Sequence, residues 1–485
     1  MMPAATVTRD ARFVYVSPAC ERTLADRLSY YKRVQTGGAG GAPQFIHTRC
    51  YRVSDDVLAA PAGLTKRIVD ILHQAGCRIS YQDRRTDKLP EPRLDVIDPL
   101  RPGQDKILAA IIANDGGVIE APTAGGKSFL IRQMCRMWPA ARIIVCSYSR
   151  AVVKNLHAEL RETLPADELG LVGAGSRDEA RVTCCVDRSL PYCDLDKCDL
   201  FIFDEVHRAV SEGNIPVLVR LARARRYGFS ASPQGRGDNA DLEVECLFGP
   251  IIHRQTYQEA QDLGTIVPIT VWLYDTRHVR APMYDNMVLL ERHAVWTNKD
   301  RNRAIAEAVQ DVRKRCGDDL QILVLVKTVE HAVHLGSMMP DFALVYADVE
   351  VTRIRKWALA GLLKADEHPL SNADRQALYD GFKTGRVRRV IATPCWSTGV
   401  DFPGLGVIVR GDAQASRIAN IQIPGRVSRI AEGKDNGLLV DFTDGFNKML
   451  ENRSQKRQRI YRGKGWKIVQ MGRPAPAILT PASKP

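Results

Sequence analysis

The chain of 485 residues lacks an apolar run long enough to span a membrane, and only 7% of its residues are aromatic. Its most apolar stretches, Ile107–Ile112 and Ile322–Val326, are cut short by Asn, Asp or Lys, whereas a membrane helix needs about 20 apolar residues. Arg9, Asp10 and Arg12 interrupt the N-terminal segment before the apolar part of a signal peptide forms. We therefore expect a cytoplasmic protein with no membrane partner.

Glycine and proline are not abundant, at 36 and 26 residues, which excludes collagen-like and low-complexity sequences. The 12 cysteines are dispersed from Cys20 to Cys395, as in a reduced cytosolic protein. Four of them lie between Cys184 and Cys198 without the paired CxxC spacing of a zinc site. Cys184 and Cys185 are expected on opposite faces of a strand. We interpret the four as structural and predict no metal bound by cysteine.

Acidic residues are fewer than basic ones, 56 against 69, so the net charge is +13. This excess favours a polyanionic partner such as nucleic acid, although solubility alone explains it equally well. The segment from Asn452 to Pro485 carries nine Lys or Arg and no acid, with Tyr461 and Trp466 between the cations. Cations interleaved with aromatic rings suit a phosphate backbone and stacked bases. The pattern predicts a basic tail over 451–485, either bound to nucleic acid or simply solvated.

Buried apolar strands alternate with helical patterns, which predicts an α/β protein with parallel sheets. A glycine-rich segment at Gln35–Pro43 and a helix at Leu64–Leu72 set residues 1–95 apart as a small α/β accessory domain, a candidate for nucleic-acid binding. Two α/β domains are predicted after it, over 96–268 and 269–450, and a tail over 451–485. The predicted strands are Gly117–Glu120, Arg142–Ser147, Arg181–Val186 and Leu200–Phe203, then Ile322–Val326, Ala343–Val345, Val390–Thr393, Gly406–Val409 and Gly437–Asp441.

A phosphate-binding loop is indicated by the segment from Ala121 to Ser128, which follows a predicted strand and opens a helix at Phe129–Trp138. Backbone N–H groups and a helix N-terminus favour anions at such a junction. Lys127 is expected to contact the β- and γ-phosphates of a nucleotide, and Ser128 to bind Mg²⁺. The nucleotide-binding residues predicted in the loop are Pro122, Thr123, Ala124, Gly125, Gly126, Lys127 and Ser128.

Two acids end the apolar run Leu200–Phe203, and a histidine follows them. Asp204 at a strand end is placed to hold Mg²⁺ through water. Glu205 can position or deprotonate the attacking water. With His207, these residues complete a predicted hydrolytic centre for ATP.

With these residues in place, the chain resembles the superfamily 2 helicases over about residues 99–445. The segments that carry the resemblance are Arg101-Pro-Gly-Gln104, Asp204-Glu-Val-His207, Ser230-Ala-Ser232, Thr393-Pro-Cys-Trp-Ser-Thr-Gly-Val-Asp401 and Gln422-Ile-Pro-Gly-Arg-Val-Ser-Arg429. Connecting segments such as Leu247–Pro250 and Asn298–Asn302 resemble those of phage UvsW-type and XPB-like DNA helicases. An additional segment at Glu350–Pro369 departs from the family and is predicted to be an inserted basic helix.

The resemblance implies two tandem RecA-like domains that use ATP and Mg²⁺. It assigns charge stabilisation at the γ-phosphate to Arg426 and Arg429, and coupling between hydrolysis and movement to Ser230 and Ser232. Further nucleotide-binding residues implied by family position are Arg101, Gln104, Gly399, Asp401 and Gln422. Nucleic-acid contacts, mostly to phosphates, are implied for Ser149, Arg150, Lys327, Thr328, Thr393 and Thr398.

The expected function is that of an ATP-hydrolysing DNA helicase or translocase. Its expected partner is single-stranded, duplex or branched DNA in recombination, replication or repair, in a bacterial or phage-infected host cytoplasm. Two alternatives stay open at this point. One is an RNA helicase. The other is an ATP-gated motor or binding subunit that needs a protein partner and does not unwind strands alone.

Overall fold

The computed structural model describes residues 4–35, 43–85, 89–211, 213–221, 223–236, 238–284, 286–396 and 402–473. The chain divides into two compact units, Met1–Thr265 and Ile266–Pro485. Within the described ranges, every helix is too short or too polar to cross a membrane. The first unit holds two sheets and a two-stranded ribbon, and the second holds one sheet.

The N-terminal sheet of the first unit has five strands in the order β5-β6-β2-β1-β7. Its strands are β1 Ala4–Arg9, β2 Phe13–Ser17, β5 Arg52–Ser54, β6 Val57–Pro61 and β7 Arg78–Asp83. Alternate residues such as Val7 and Val16 are buried, and Ile68 and Leu72 of helix α2, Thr65–Gln74, cover the same core. A short helix α1, Glu21–Leu24, leads to the antiparallel ribbon of β3, Ser29–Gln35, and β4, Pro43–Arg49.

The larger sheet of the first unit has eight strands in the order β11-β10-β12-β9-β13-β14-β8-β15. They are β8 Gly116–Glu120, β9 Ile143–Ser147, β10 Leu169–Gly173, β11 Ser176–Asp178, β12 Val182–Val186, β13 Leu200–Asp204, β14 Arg225–Ser230 and β15 Ile251–Arg254. All neighbouring pairs are parallel except β10 with β11. The four strands predicted here are confirmed to within one residue at each end.

Helices cover both faces of this sheet, because a parallel sheet must bury both faces. They are α3 Gln104–Ala113, α4 Lys127–Met137, α5 Arg150–Arg161, α6 Ile215–Leu218, α7 Asp241–Phe248 and α8 Tyr257–Asp262. Cys184 packs in the core on one face and Cys185 in the core on the other, as predicted. The helix predicted near Ile215–Arg223 is too long, because the bonds donated by the Arg220 and Leu221 N–H groups span only three residues.

The sheet of the second unit has seven strands, all parallel, in the order β18-β19-β17-β20-β21-β16-β22. They are β16 Ile269–Tyr274, β17 Gln321–Leu325, β18 Ala343–Val345, β19 Arg389–Ala392, β20 Leu405–Arg410, β21 Gly437–Phe442 and β22 Lys467–Gly472. Its helices are α9 Met287–Leu290, α10 Lys299–Cys316, α11 Val329–Gly336, α12 Val351–Leu359, α13 Asn372–Lys383, α14 Arg417–Gln422 and α15 Lys448–Gly463. Helix α12 lies in the segment predicted to be an inserted basic helix, and its Trp357 packs beside Tyr346.

The described part of the predicted basic tail is not a tail. Residues 448–463 form α15, and β22 pairs with β16 at the edge of the second sheet. Arg457 and Tyr461 are fully buried, and both contact the carboxylate of Asp441. The sequence prediction was wrong because it left all these cations available to nucleic acid or solvent, whereas the buried Asp441 pairs with Arg457. The further division of the first unit into domains at about residue 95 stays a proposal.

Candidate functional site

The phosphate-binding loop lies between β8 and α4, and two of its residues take left-handed backbone conformations. Ala124 has φ +70° and Gly126 has φ +81°, and the Gly125 N–H donates to the Pro122 carbonyl at 3.0 Å. Ala121, where the usual motif has glycine, is fully buried. These conformations turn the chain sharply just before the N-terminus of α4, which is the arrangement that favours a bound phosphate.

Lys127 and Gln104 both approach this loop. The Lys127 Nζ donates to the carbonyls of Pro122 at 3.1 Å and Ala121 at 3.4 Å. Gln104 is 2% exposed, and its Oε1 accepts from the Arg101 N–H at 2.9 Å. Its Nε2 has no hydrogen-bond partner among the described residues, and a Cβ added to Gly126 would lie 2.5 Å from that nitrogen. A buried donor of this kind at the phosphate loop is suited to a nucleotide.

The carboxyl ends of β13, β14 and β8 lie side by side, and they bring the acids, the serines and the loop together. The Ala121 N–H donates to the Ser230 carbonyl at 3.1 Å. The Ser230 Oγ lies 2.9 Å from Nδ1 of His207 and donates to Oε2 of Glu205 at 3.3 Å. It also accepts from the Ser232 N–H at 3.1 Å. The residues predicted in three separate motifs therefore form one network.

The protonation of this network follows from its donors. If the Ser230 hydroxyl donates to Glu205, His207 must donate from Nδ1, because the serine has only one proton. Burial, and then the charges of Arg208, Arg236 and Lys127, lower the pKa of His207 to about 3. His207 is therefore neutral. Glu205 has φ +61°, a rare conformation for a residue with a side chain.

Asp204 is suited to Mg²⁺. Its Oδ1 is buried and has no hydrogen-bond partner among the described residues. Burial, and then the charge of Glu205, raise the pKa of Asp204 to about 7. Carboxylate oxygens are the ligands that Mg²⁺ prefers. The positive charge of the ion would offset the free-energy cost of burying the charged form of Asp204. Ser128 lies in the first turn of α4, at the position predicted for the second ligand. No cluster of three His, Cys, Asp or Glu suited to another metal occurs in the described ranges.

Residues predicted in the second unit fall into three groups. Gln422 ends α14 and is 7% exposed. Arg426 lies in a short 3₁₀ helix, Pro424–Ser428, and Arg429 follows it with extended backbone, both half-buried. Thr398, Gly399 and Asp401 lie outside the described residues.

Among the described residues that were predicted to contact nucleic acid, Arg150 is the exposed one, and it lies at the start of α5. It lines a surface cavity of about 730 Å³ beside Arg177 and Arg188. Ser149, just before it, accepts from the Val152 N–H and so caps the helix. Arg150 and Arg188 follow the carboxyl ends of the parallel strands β9 and β12, and Arg177 lies in the antiparallel strand β11. Three cations that line one cavity suit phosphate contacts.

Two of the other predicted contacts are corrected by the structure. Lys327 Nζ lies 2.5 Å from Oε2 of Glu291, a buried carboxylate, so this cation is already paired. Thr393 is 4% exposed, and its hydroxyl lies 3.4 Å from Sγ of Cys395, so it is not offered to a strand. Thr328 caps α11 by accepting from the His331 N–H at 3.2 Å. The local sequence shows that these residues lie where strands end, but it does not show which partner each side chain contacts.

Arg236 and Gln255 are site residues that sequence reasoning missed. Arg236 donates to the backbone carbonyl of His207, and to that of Val210 at 2.9 Å. It thereby holds the loop after Asp204 and Glu205. A Cβ added to Gly103 would lie 3.0 Å from Nε2 of Gln255, which places this amide beside the nucleotide loop. An arginine three residues after the Ser232-Pro233 pair was the only signal in the sequence, and Gln255 gave none.

Comparison with known proteins identifies relatives for most of the chain. A family model described as the helicase conserved C-terminal domain matches residues 307–431. A DNA 3′-5′ translocase, XPB2 of Sulfurisphaera tokodaii, is 26% identical over 385 residues, which are 75% of this chain and 85% of that protein. Helicase 22 of the Sulfolobus islandicus filamentous virus is 24% identical over 366 residues, 67% of this chain and 60% of that protein.

A solved structure matches the fold. S. cerevisiae Dbp5 bound to RNA and ADP–BeF₃ is 15% identical, with a TM-score of 0.54, and the match covers 77% of this chain and 90% of Dbp5. At this identity the match concerns the fold alone. It confirms the predicted fold class of two tandem RecA-like parallel-sheet domains, and the N-terminal mixed sheet adds the small α/β part.

Proposed function

Because the chain belongs to superfamily 2 of the helicases, we propose that it couples ATP hydrolysis to movement along DNA. Its proposed substrate is branched or double-stranded DNA in recombination, replication or repair. The observation that carries the proposal is the network in the first unit. The phosphate loop bonds to the backbone of Ser230, and the Ser230 hydroxyl bonds to Glu205 and His207.

Each residue of the network has a proposed task. Lys127 leaves the loop carbonyls and contacts the β- and γ-phosphates, while Gly125 and Gly126 donate from the backbone. When bound, Mg²⁺ neutralises phosphate charge, and Asp204 and Ser128 would hold it. Glu205 accepts the proton of the attacking water, and its orientation is fixed by Ser230.

The second unit supplies the remaining charge in this proposal. Arg426 and Arg429 stabilise the negative charge on the transferring phosphoryl group, since guanidinium groups suit phosphate oxygens. Arg101, Gln104, Thr123 and Gln422 contribute to nucleotide binding. The residues Pro122, Ala124, Thr398, Gly399 and Asp401 keep the roles that the sequence predicts for them.

Movement is coupled to hydrolysis through Ser230 and Ser232. A change at Glu205 on loss of the γ-phosphate reaches Ser230 through one hydrogen bond, and the Ser232 N–H follows the same hydroxyl. These serines end β14 and begin the loop that holds Arg236. A small change at the acid therefore shifts a whole loop of the first unit.

DNA is proposed over RNA because the archaeal relative is named a DNA translocase. We further propose for this chain the direction in that relative's name, 3′ to 5′. Arg150, with Arg177 and Arg188 beside it, provides phosphate contacts that position the strand without reading sequence.

The steady-state ATPase rate of the full chain tests the proposal. It is measured alone and with single-stranded DNA, duplex DNA, forked DNA and RNA. Strong stimulation by DNA, largest with a fork, is expected, and Glu205→Gln and Lys127→Ala should abolish turnover while the protein stays folded. Stimulation by RNA alone would replace the proposal with an RNA helicase. Turnover retained in Lys127→Ala would contradict the assignment of the phosphate loop.

Strand displacement then tests movement and direction. Duplexes with a single 3′ or a single 5′ tail are incubated with ATP, and release of the labelled strand is followed. Release from the 3′-tailed duplex alone is expected. Hydrolysis without release from either substrate would favour a motor subunit that needs a protein partner.

A further inference from the structure

A cavity of about 530 Å³ lies inside the first unit at the amino ends of β8 and β14, away from the nucleotide loop. Both sheets of the unit contribute to its walls. Arg9, Asp83 and Arg85 come from the N-terminal sheet and its flanks, and Asp115, Arg225 and Arg226 from the larger sheet. None of the residues assigned to ATP or DNA lines it.

The charges in this cavity do not balance. Arg85 Nη2 lies 2.5 Å from Oδ2 of Asp83 and 2.7 Å from Oδ2 of Asp115. Arg225 Nη2 lies 3.1 Å from Oδ1 of the same Asp115. Two acids therefore face two arginines that are already bonded to them. Lys66 and Arg223 also line the cavity, but they pair with Asp70 and Asp199, which do not line it. Arg9 and Arg226 therefore remain as two cations that no acid of the cavity bonds.

Arg226 has no acid bonded to it among the described residues. Across the described ranges its guanidinium makes no hydrogen bond and no ion pair. Burial, and then the charge of Arg9, lower the pKa of Arg226 to about 10. Arg9 influences Asp83 and Asp115 at longer range, but its Nε is buried and has no hydrogen-bond partner among the described residues. Both side chains are partly buried, and cations withdrawn from water without a paired acid are costly, so the arrangement favours an anion.

We propose that this cavity binds a phosphate group held by Arg9 and Arg226, with a free phosphate compound or a nucleic-acid backbone as its source. Guanidinium groups present paired donors that match phosphate oxygens, and two of them in excess match a doubly charged anion. The volume accommodates a pyrophosphate or larger group. Because the two arginines come from different sheets, the ligand joins the N-terminal sheet to the larger sheet.

The site has a physical route to the nucleotide loop. Strand β8 runs from Gly116 at the cavity to Glu120 before the phosphate loop, and β14 runs from Arg225 to Ser230. The two strands are paired along their length. Occupation of the cavity therefore stabilises the first unit as a whole, since a ligand that binds only the folded state raises its unfolding temperature.

Calorimetric titration of the full chain with inorganic pyrophosphate tests the proposal. One bound pyrophosphate is expected that depends on Arg226 and Arg9, with at least a tenfold weaker Kd in Arg226→Gln and in Arg9→Gln. The control Arg22→Gln removes the same charge from an exposed position outside the cavity and should bind like the wild type. Lys127→Ala separates the two candidate phosphate sites, because binding in the cavity should survive it.

Thermal unfolding of each variant, with and without pyrophosphate, shows whether the variant is folded and whether the ligand stabilises it. If a ten-nucleotide oligothymidylate displaces the bound pyrophosphate, the natural ligand is a nucleic-acid phosphate. If the oligonucleotide does not compete, the natural ligand is a free phosphate compound. No binding by the wild type would overturn the proposal. Binding that is lost only in Lys127→Ala, or unchanged in both arginine variants, would overturn it as well.

Discussion

Ser230 and His207 are joined by a hydrogen bond of 2.9 Å between the serine hydroxyl and Nδ1 of the imidazole. Both side chains are buried, at 0% and 1% exposure. The same hydroxyl donates to Glu205, so one oxygen connects the histidine after the acids with the acid itself. A neutral histidine in this position is a hydrogen-bond donor that holds the serine, and not a general acid. The serine hydroxyl therefore hydrogen-bonds to Oε2 of Glu205, and Nδ1 of His207 lies 3.5 Å from the same oxygen.

Replacing Ser230 by alanine should impair hydrolysis. The change removes the donor to Glu205 and leaves Nδ1 of His207 buried without its partner, which costs about 1–3 kcal/mol. We expect kcat for ATP to fall by about tenfold or more, with a proportionally greater loss of stimulation by DNA. Steady-state ATPase rates with and without forked DNA measure both quantities.

Ser232→Ala is the matched control for this variant. The Ser232 hydroxyl is buried but has no hydrogen-bond partner among the described residues. Its backbone N–H, which is the group that bonds to Ser230, is kept in the alanine variant. Ser232→Ala should retain most of the ATPase activity. An equal loss in both variants would show that the Ser230 hydroxyl has no special part in the network.

Acidification should destabilise the first unit through His207. Its pKa is about 3 in the folded protein and about 6.5 in an unfolded chain. As the pH falls below 6.5 the unfolded chain gains a proton that the folded histidine does not take. The free energy of unfolding therefore decreases, by about 2 kcal/mol between pH 7 and pH 5 from this one group. Urea unfolding of the full chain at the two pH values measures it.

His207→Gln removes this titration but retains a side-chain N–H that can bond to Ser230. Between pH 7 and pH 5, the free energy of unfolding of the variant should decrease by about 2 kcal/mol less than that of the wild type. Its absolute stability at pH 7 does not affect the comparison, because each protein is its own reference. If the two proteins showed the same pH dependence, His207 would have to be protonated in the folded state.

Short-range patterns in the sequence were sufficient to predict which segments meet at the proposed hydrolytic centre. The strand Leu200–Asp204 and the loop after Gly116–Glu120 are local features, and their acids and glycines stand beside them in the chain. Parallel pairing then brings the strand ends to one edge. This is why residues from segments about a hundred positions apart, such as Lys127 and Ser230, could be assigned to one centre before the structure.

Features that depend on pairing between distant segments could not be predicted. Nothing near Arg457 in the sequence shows that it bonds to Asp441, since the region around it contains only cations and polar residues. The same is true of Lys327, whose partner Glu291 lies on an earlier helical segment. Composition identified these cations, but tertiary structure determines which of them are available to a phosphate.

Arg150 should contribute a phosphate contact in DNA binding. It is exposed and lies beside two further arginines in the surface cavity of the first unit. Arg150→Gln should weaken binding to all DNA sequences by a similar factor, and reduce the slope of log Kd against log salt concentration by about one. Fluorescence anisotropy at several salt concentrations gives the slope. Arg161→Gln, at the exposed opposite end of the same helix, should leave the slope unchanged, and equal slopes in both variants would exclude Arg150 from the contact.

Removal of the C-terminal basic segment should unfold the second unit and not merely weaken DNA binding. Arg457 Nε lies 2.8 Å from Oδ2 of Asp441, its Nη2 lies 3.3 Å from Oδ2 of Asp444, and all three residues are fully buried. Truncation after Asn452 removes Arg457 and β22, and leaves both carboxylates buried without this cation. Breaking a buried ion pair by removing one partner costs about 3–5 kcal/mol. We expect loss of the cooperative unfolding transition of the second unit, measured by circular dichroism and by proteolysis.

Truncation after Arg473 is the matched control, because it keeps every described helix and strand. It should retain the unfolding transition. The point variant Arg457→Met separates the buried pair from the loss of β22, and should lower the free energy of unfolding by about 3–5 kcal/mol while keeping a similar side-chain volume. A truncation after Asn452 that remains as stable as the full chain, and loses only affinity for DNA, would restore the interpretation of this segment as a basic tail bound to nucleic acid. A buried Arg457 cannot also contact a phosphate. A truncation after Asn452 that stays folded but binds DNA with a weaker salt dependence would therefore contradict the buried ion pair and favour the basic tail.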